Sequence, residues 1–393
     1  MSPTAEVSTA VSSAPAPAPA GLSRALVTPF LDFLMLGGLS FITMVAVRVL
    51  MNSQDISNLL TSRVPWWAYY AAFAVNYPHF AYSYQLFYKG FWRRVRDPAT
   101  GLQTRLRMIV AGFIAPAVLA GYFTLCYFLN EPVKMGYGVA GMLFLVGWHY
   151  VKQGYGVLIT LSVYGKIFYG KWQKRILFGN AYAVWLCAWI RSNVYSVSNN
   201  YFGIFWTTAN LPHWMLVPAA VVAVVTSLLS AGVLLKVWRS DRKGISFNGV
   251  VGYVSAIYLW VMFPYGNIAF FYFVPFFHSL QYLGFVYKFK LGESSQKSEA
   301  AAPDEPAPAE KKAGWVRWVP MAAFGILGVL LGGGFMDIIP KQIDRLHNAG
   351  MAFMGGNFFL VAFLLFINIH HYFIDNAFWR RDNAEVQRYL FRG

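Results

Sequence analysis

Near its C-terminal end the chain reads Asn368-Ile369-His370-His371-Tyr372-Phe373-Ile374-Asp375, two imidazoles and a carboxylate in a stretch otherwise apolar enough to cross a bilayer. Ionisable groups are costly to hold at that depth and commonly carry function there. His371 and Asp375 are four apart and share a helix face. That spacing suits a metal ligand and the carboxylate that orients it, or two ligands of one ion. Five more histidines are spread along the chain: His79, His149, His213, His278 and His347. Whether the fold lifts any of them to the level of His370 and His371 decides what chemistry is available.

The elements that must do this are read from composition. A chain of 393 residues that is 57% hydrophobic, 18% aromatic and 12% charged predicts an all-α, polytopic integral membrane protein rather than a soluble domain. Apolar runs of about 20 residues, the length a helix needs to span hydrocarbon, predict ten transmembrane helices. They fall at 26–50, 66–88, 106–129, 135–163, 176–197, 213–238, 248–264, 267–289, 318–339 and 350–378. Pro264-Tyr265-Gly266 predicts a tight turn between the seventh and eighth. The resulting organisation is a disordered Ala/Pro-rich leader (1–25), eight helices within 26–290, a disordered loop (291–314), two more helices within 315–380 and a tail (381–393). Of the 32 lysines and arginines, 25 fall in the leader, the tail and the even-numbered loops, and only Arg63, Lys134, Lys341 and Arg345 in the opposite loops. That alternation predicts both termini in the cytoplasm, in a bacterial-type inner (plasma) membrane. It also accounts for the net charge of +16 without a nucleic-acid partner. Cys126 and Cys187 lie in apolar runs without metal-type spacing, which excludes a disulfide framework and a zinc finger.

With this topology the second, fourth, eighth and tenth helices all run from outside to inside. His79, His149, His278 and His370 then lie about 9, 14, 10 and 8 residues from the cytoplasmic ends, depths that agree within about 9 Å. A lone histidine in a membrane helix more often hydrogen-bonds a neighbouring helix. Four at one level without cysteine point instead to metal or haem chemistry, through neutral imidazoles that bury no charge. The predicted ligands are His79, His149, His278 and one of His370 and His371, with Asp375 orienting a ring or completing the coordination. Gln153, four after His149, and Gln281, three after His278, are placed to accept from a ligand or to bind substrate oxygen. Lys152, three after His149, must pair with Asp375 or Asp32, bind an anionic or carbonyl substrate group, or reach inward to the interface. His213 reads as part of a helix start and His347 as a solvated loop residue. Pro78 predicts a kink beside His79. Aromatic residues along the histidine helices could line a tunnel for a long apolar substrate.

Three motifs also carry a likeness. Val75-Asn76-Tyr77-Pro78-His79, Gly147-Trp148-His149-Tyr150 and Phe277-His278-Ser279-Leu280-Gln281 resemble, in order and style, the Pro-His, Trp-His and His-Ser-Leu signatures of the integral-membrane β-carotene cleavage dioxygenases (the Brp/Blh family). The resemblance implies an all-helical membrane enzyme that holds one ferrous iron and uses dioxygen to split a carotenoid, with His79, His149 and His278 as ligands. Phe80-Ala81-Tyr82-Ser83 and Gln281-Tyr282 stand where the family has further acidic and basic residues, so a fourth ligand would come from His370 or His371.

Together these readings predict a membrane-embedded, histidine-ligated Fe(2+) oxidoreductase acting with dioxygen on a lipid-soluble substrate. Another divalent metal remains open. The alternatives are a b-type haem electron carrier with two axial histidines, and a transporter or non-catalytic membrane protein using its buried histidines for coupling or binding.

Overall fold

The computed structural model describes residues 25–50, 54–195, 197–240, 244–262, 268–301, 332–347 and 356–391, with short pieces between 322 and 330. Helix α1 (Pro29–Leu50) starts where Thr28 Oγ1 accepts the Leu31 N–H, with Pro29 in its first turn. It is followed by α2 (54–88), the short α3 (Phe91–Arg96), α4 (Leu102–Leu129), α5 (Pro132–Tyr164) and α6 (Lys171–Asn193). After a β-hairpin come α7 (His213–Ser240), α8 (Phe247–Leu259), α9 (Ile268–Ala301), α10 (334–347), α11 (Phe358–Phe378) and α12 (Ala384–Phe391). The all-α class holds.

Four of these helices, α1, α4, α7 and α11, are long and apolar enough to cross a membrane, among the described residues. The sequence reading expected ten spans. The difference lies in polarity and length. Helix α5 carries His149, Lys152 and Gln153, α6 carries Lys171, Lys174, Arg175 and Asn180, and α8 is short. Burial separates the four: 61% of the apolar window of α11 is inside the protein, against 28% or less for the others. Helix α11 is therefore a central strut packed on α2, α4, α5 and α10. By contrast α7 turns Val217, Val221, Val224 and Leu228 outward.

Close approach of these helices depends on missing side chains. A Cβ on Gly154 of α5 would lie 2.4 Å from Ala256 Cβ on α8. Gly37, at φ +154° inside a π-helical turn of α1, would put one 2.2 Å from Ser255 Oγ. Another π-helical turn (Ala72–Asn76) precedes Pro78, whose missing N–H such a widened turn tolerates. The widened turn stands where the sequence predicts a kink, just before His79.

Three features differ from the sequence expectation. Residues 198–207, expected between helices, form an antiparallel hairpin, β1 (Ser198–Tyr201) and β2 (Ile204–Thr207). Its turn residues Phe202 and Gly203 have φ of 51° and 96°, the signature of a type I′ turn. It seats on α5 at Gly136, where a Cβ would meet Phe205 O at 2.6 Å. Secondly, α9 runs on to Ala301, so the loop expected from 291 begins as helix. Thirdly, the expected tail contains α12, which buries Val386 and Leu390 and accepts a 2.7 Å hydrogen bond from Tyr164 Oη at Leu390 O. The leader up to residue 24, residues 302–320 of the loop and ninth span, and the Pro264-Tyr265-Gly266 turn lie outside the described residues.

Candidate metal centre

Four helices each bring one buried imidazole to a common point: His79 from α2, His149 from α5, His278 from α9 and His371 from α11, none more than 6% exposed. Around the group, ring centroids are separated by 5.1 Å (His79 to His278), 4.8 Å (His278 to His149), 4.9 Å (His149 to His371) and 4.4 Å (His371 to His79). Across it, His278 and His371 are 6.5 Å apart. The midpoint of that diagonal is thus about 3.3 Å from those two rings. By the triangle each other ring makes with it, it lies about 3.5 Å from His79 and about 3.6 Å from His149. A metal–nitrogen bond of about 2.1 Å plus the roughly 1.2 Å from ring nitrogen to ring centre makes about 3.3 Å. On ring-centre distances the midpoint is within reach of all four rings, while the ligand atoms themselves gather as two triads that share His371.

The polar atoms resolve this group into two overlapping sets. His371 Nε2 lies 3.2 Å from His149 Nε2 and 3.3 Å from Asp375 Oδ2, with His149 Nε2 3.9 Å from the same oxygen. Neighbouring donors around an ion at about 2.1 Å are separated by about 3.0–3.4 Å. Two triads, His79 with His278 and His371, and His149 with His371 and Asp375, each offer ligand atoms within 4.8 Å of one another. Among the described residues, His79 Nε2, His371 Nδ1 and both nitrogens of His278 are buried without a hydrogen-bond partner. Leaving such atoms unmet costs about 1–3 kcal/mol each, and a shared ion, which takes one nitrogen per ring, would meet His79 Nε2 and one nitrogen of His278.

Neighbours hold the ligands in place. Ser279, next to His278 on α9, shares a 2.8 Å hydrogen bond with His79 Nδ1, which leaves Nε2 for the centre. Asp375 Oδ1 accepts from Tyr282 Oη at 3.3 Å, and Tyr282 Oη accepts in turn from Ser83 Oγ at 2.7 Å. Rings wall the site: Tyr282 lies 4.3 Å from His79, Tyr150 4.4 Å from His278, Tyr372 4.7 Å from His149 and Phe80 4.9 Å from His371. Rings expected to line a tunnel are here packed against imidazoles.

The structure separates other residues singled out in the sequence. His370 is turned 100° from His371 on the helix and is not in the group. Its Nδ1 bonds Tyr84 Oη at 2.8 Å and its Nε2 bonds Ala111 O at 2.9 Å. Gln153 Nε2 donates to Gln281 Oε1 at 2.9 Å and to His278 O at 3.1 Å, while Gln281 Nε2 donates to Leu36 O at 2.6 Å. Both glutamines lock backbone rather than face the centre. Lys152 pairs with neither Asp375 nor Asp32. Its Nζ donates to Asn376 Oδ1 and sits 4.7 Å over the Trp148 ring, and Asp32 instead accepts the Leu26 and Val27 N–H groups. His213 opens α7 against Tyr195, and His347 bonds Ile343 O on α10. Sequence reasoning missed Ser279, Ser83 and the part Tyr282 plays. Ser279 and Tyr282 stood beside and one turn beyond His278 but serve partners on α2 and α11.

No family model, curated protein or solved structure matches this chain, so what the centre does has to be argued from its own geometry.

Proposed function

We propose that the protein is a membrane-embedded, histidine-ligated non-haem iron oxidoreductase that uses dioxygen on a lipid-soluble substrate. The observation that carries this reading is the gathering of four buried imidazoles and Asp375 into two triads of ligand atoms that share His371, with several ring nitrogens unmet. Among divalent metals ferrous iron is preferred, because three of the four rings come from the motifs that resemble the integral-membrane β-carotene cleavage dioxygenases. Bound there, iron would supply the activation of dioxygen for oxidation of a carotenoid-like or fatty substrate. The chain's own residues do the rest. Ser279 orients His79, Tyr282 holds one oxygen of Asp375 while the other faces His371 and His149, and Phe80, Tyr150 and Tyr372 keep water from the rings. The b-type haem alternative is disfavoured by the same distances. A macrocycle between His278 and His371 would occupy the space already filled by His79 and His149.

The proposal includes α1, α4, α7 and α11 as spans of a bacterial-type plasma membrane with both ends inside. It is supported by pairing among the basic loops and tail. Arg93 and Arg94 bond Glu385, Arg107 bonds Asp382 and Lys89 bonds Glu293, which gathers the ends of α2, α4, α9 and α11 on one side. The deciding experiment is metal quantitation on detergent-purified protein with its optical spectrum. The expected result is one equivalent of iron without a haem band, lost in His79→Ala, His149→Ala, His278→Ala and His371→Ala and kept in His213→Ala and His347→Ala. Equal metal content in all six variants, or no metal in any preparation, removes the centre and leaves a transporter or non-catalytic membrane protein.

A further inference from the structure

On the flank of the metal centre, between α2, α9 and the described pieces of 322–330, lies a cavity of about 600 Å3 that none of the chemistry above uses. Its walls follow from spacing. Ala74, Pro78 and Tyr82 recur every four residues and form one stripe of α2, and Leu283, Val286 and Tyr287 form one stripe of α9. At 1.5 Å per residue the stripe from Ala74 to Tyr82 makes the slot about 12 Å long. On the third wall Gly325 leaves the space open, since a Cβ added to it would meet nothing within 4 Å. Pro78, Tyr82 and Val286 are buried and make the floor, whereas Ile326 and Leu330 are 61% and 66% exposed and make an open apolar rim. The floor adjoins the centre, because Pro78 directly precedes His79 and Leu283 directly follows Tyr282, whose ring is 4.3 Å from His79.

The lining selects the occupant. No Lys, Arg, His, Asp or Glu is among the described residues that line the slot, so a charged head group would be desolvated there without a partner. The hydrocarbon tails of a bilayer are as apolar as these walls, so moving one inside gains nothing from the hydrophobic effect. Selection must come from packing. A rigid body that fills the space gains those contacts without the ordering cost of a flexible chain. An apolar cavity of about 150 Å3 holds one benzene ring, so this slot has room for about four. We infer that it is a binding site for a neutral lipid with a compact fused-ring body, taken in over the Ile326 and Leu330 rim and held against the two helices that carry His79 and His278. The site goes beyond the reading of the histidine group as a reaction centre and stands without it, since none of the candidate ligands lines the slot.

The test photolabels the full chain in a neutral detergent with an uncharged aryl diazirine and maps the labelled residues by mass spectrometry. Tyr82 and Tyr287 should carry saturable label, whereas the outward face of α7 at Val221 and Leu228 should label without saturation. Cholesterol should remove the label at Tyr82 at a concentration at least about tenfold below that needed by hexadecanol, palmitate or dioleoylphosphatidylcholine. Gly325→Trp should cut the label at Tyr82 about tenfold by filling the slot, while Gly121→Trp, at an equally open glycine on α4, should leave it unchanged. Val329→Phe on the same wall is the second plug, read where the first does not fold. Equal competition by palmitate removes the neutral site, equal competition by hexadecanol removes the ring body, and equal competition by the phospholipid reduces the slot to a resting place for bilayer chains. Label that both plugs leave in place puts the diazirine elsewhere. Any of these four results overturns the proposal.

Discussion

His278→Leu should change the stability of this protein in opposite directions depending on whether metal is present. His278 is 3% exposed, and neither of its ring nitrogens has a hydrogen-bond partner among the described residues. In the metal-free protein each unmet nitrogen costs about 1–3 kcal/mol. A leucine of similar volume costs less than about 1.5 kcal/mol in repacking. The metal-free variant should therefore be as stable as the parent or more stable by about 1–4 kcal/mol. With metal the balance reverses. A ligand at a thousand times its dissociation constant stabilises the parent by about 4.1 kcal/mol, and a variant that has lost one of the imidazoles forgoes most of that. Thermal unfolding after chelation, and again after anaerobic addition of ferrous iron, reads both signs, with Tm moving by a few degrees each way. If His278→Leu lowers Tm by the same amount with and without metal, the ring is an ordinary core residue and the reasoning fails.

Three further outcomes follow from the same geometry. His370→Phe should leave bound metal unchanged, because both its nitrogens serve Tyr84 and Ala111; it should cost about 1–3 kcal/mol by stranding those partners, read by metal analysis beside a melt. Asp375→Asn should weaken metal binding about 10–100-fold in a competition titration with a chromogenic chelator, since one of its oxygens faces His371 and His149 while Tyr282 holds the other. Gly154→Leu should force α5 from α8 at the 2.4 Å approach to Ala256, cost about 1–3 kcal/mol or more and reduce metal binding by shifting His149; a second change, Ala256→Gly, should recover part of both losses, and no recovery would place the strain elsewhere.

Much of this arrangement is carried by local pattern. The apolar runs dictate the helical class, and the depth of His79, His149 and His278 along their helices follows from counting residues at 1.5 Å each. The four-residue spacing of His371 and Asp375 puts them on one face, and Pro78 announces the irregular helical turn before His79. These are properties of a chain with itself over a few turns, so the order of residues suffices for them.

What the order of residues could not decide is which atoms are left over. His370 and His371 are equivalent candidates until Tyr84 and the Ala111 carbonyl, 286 and 259 residues away, engage one of them and leave the other facing three imidazoles. Gln153 and Gln281 sit at ligand spacing yet satisfy each other and backbone carbonyls. The two-stranded hairpin depends on Gly136 of a distant helix offering it a bed, and α12 on a surface formed with Tyr164 and Gly292. Local spacing sets the face a side chain occupies. The partner that quenches or frees its hydrogen-bonding groups is supplied by another helix, and only tertiary packing brings that helix within reach.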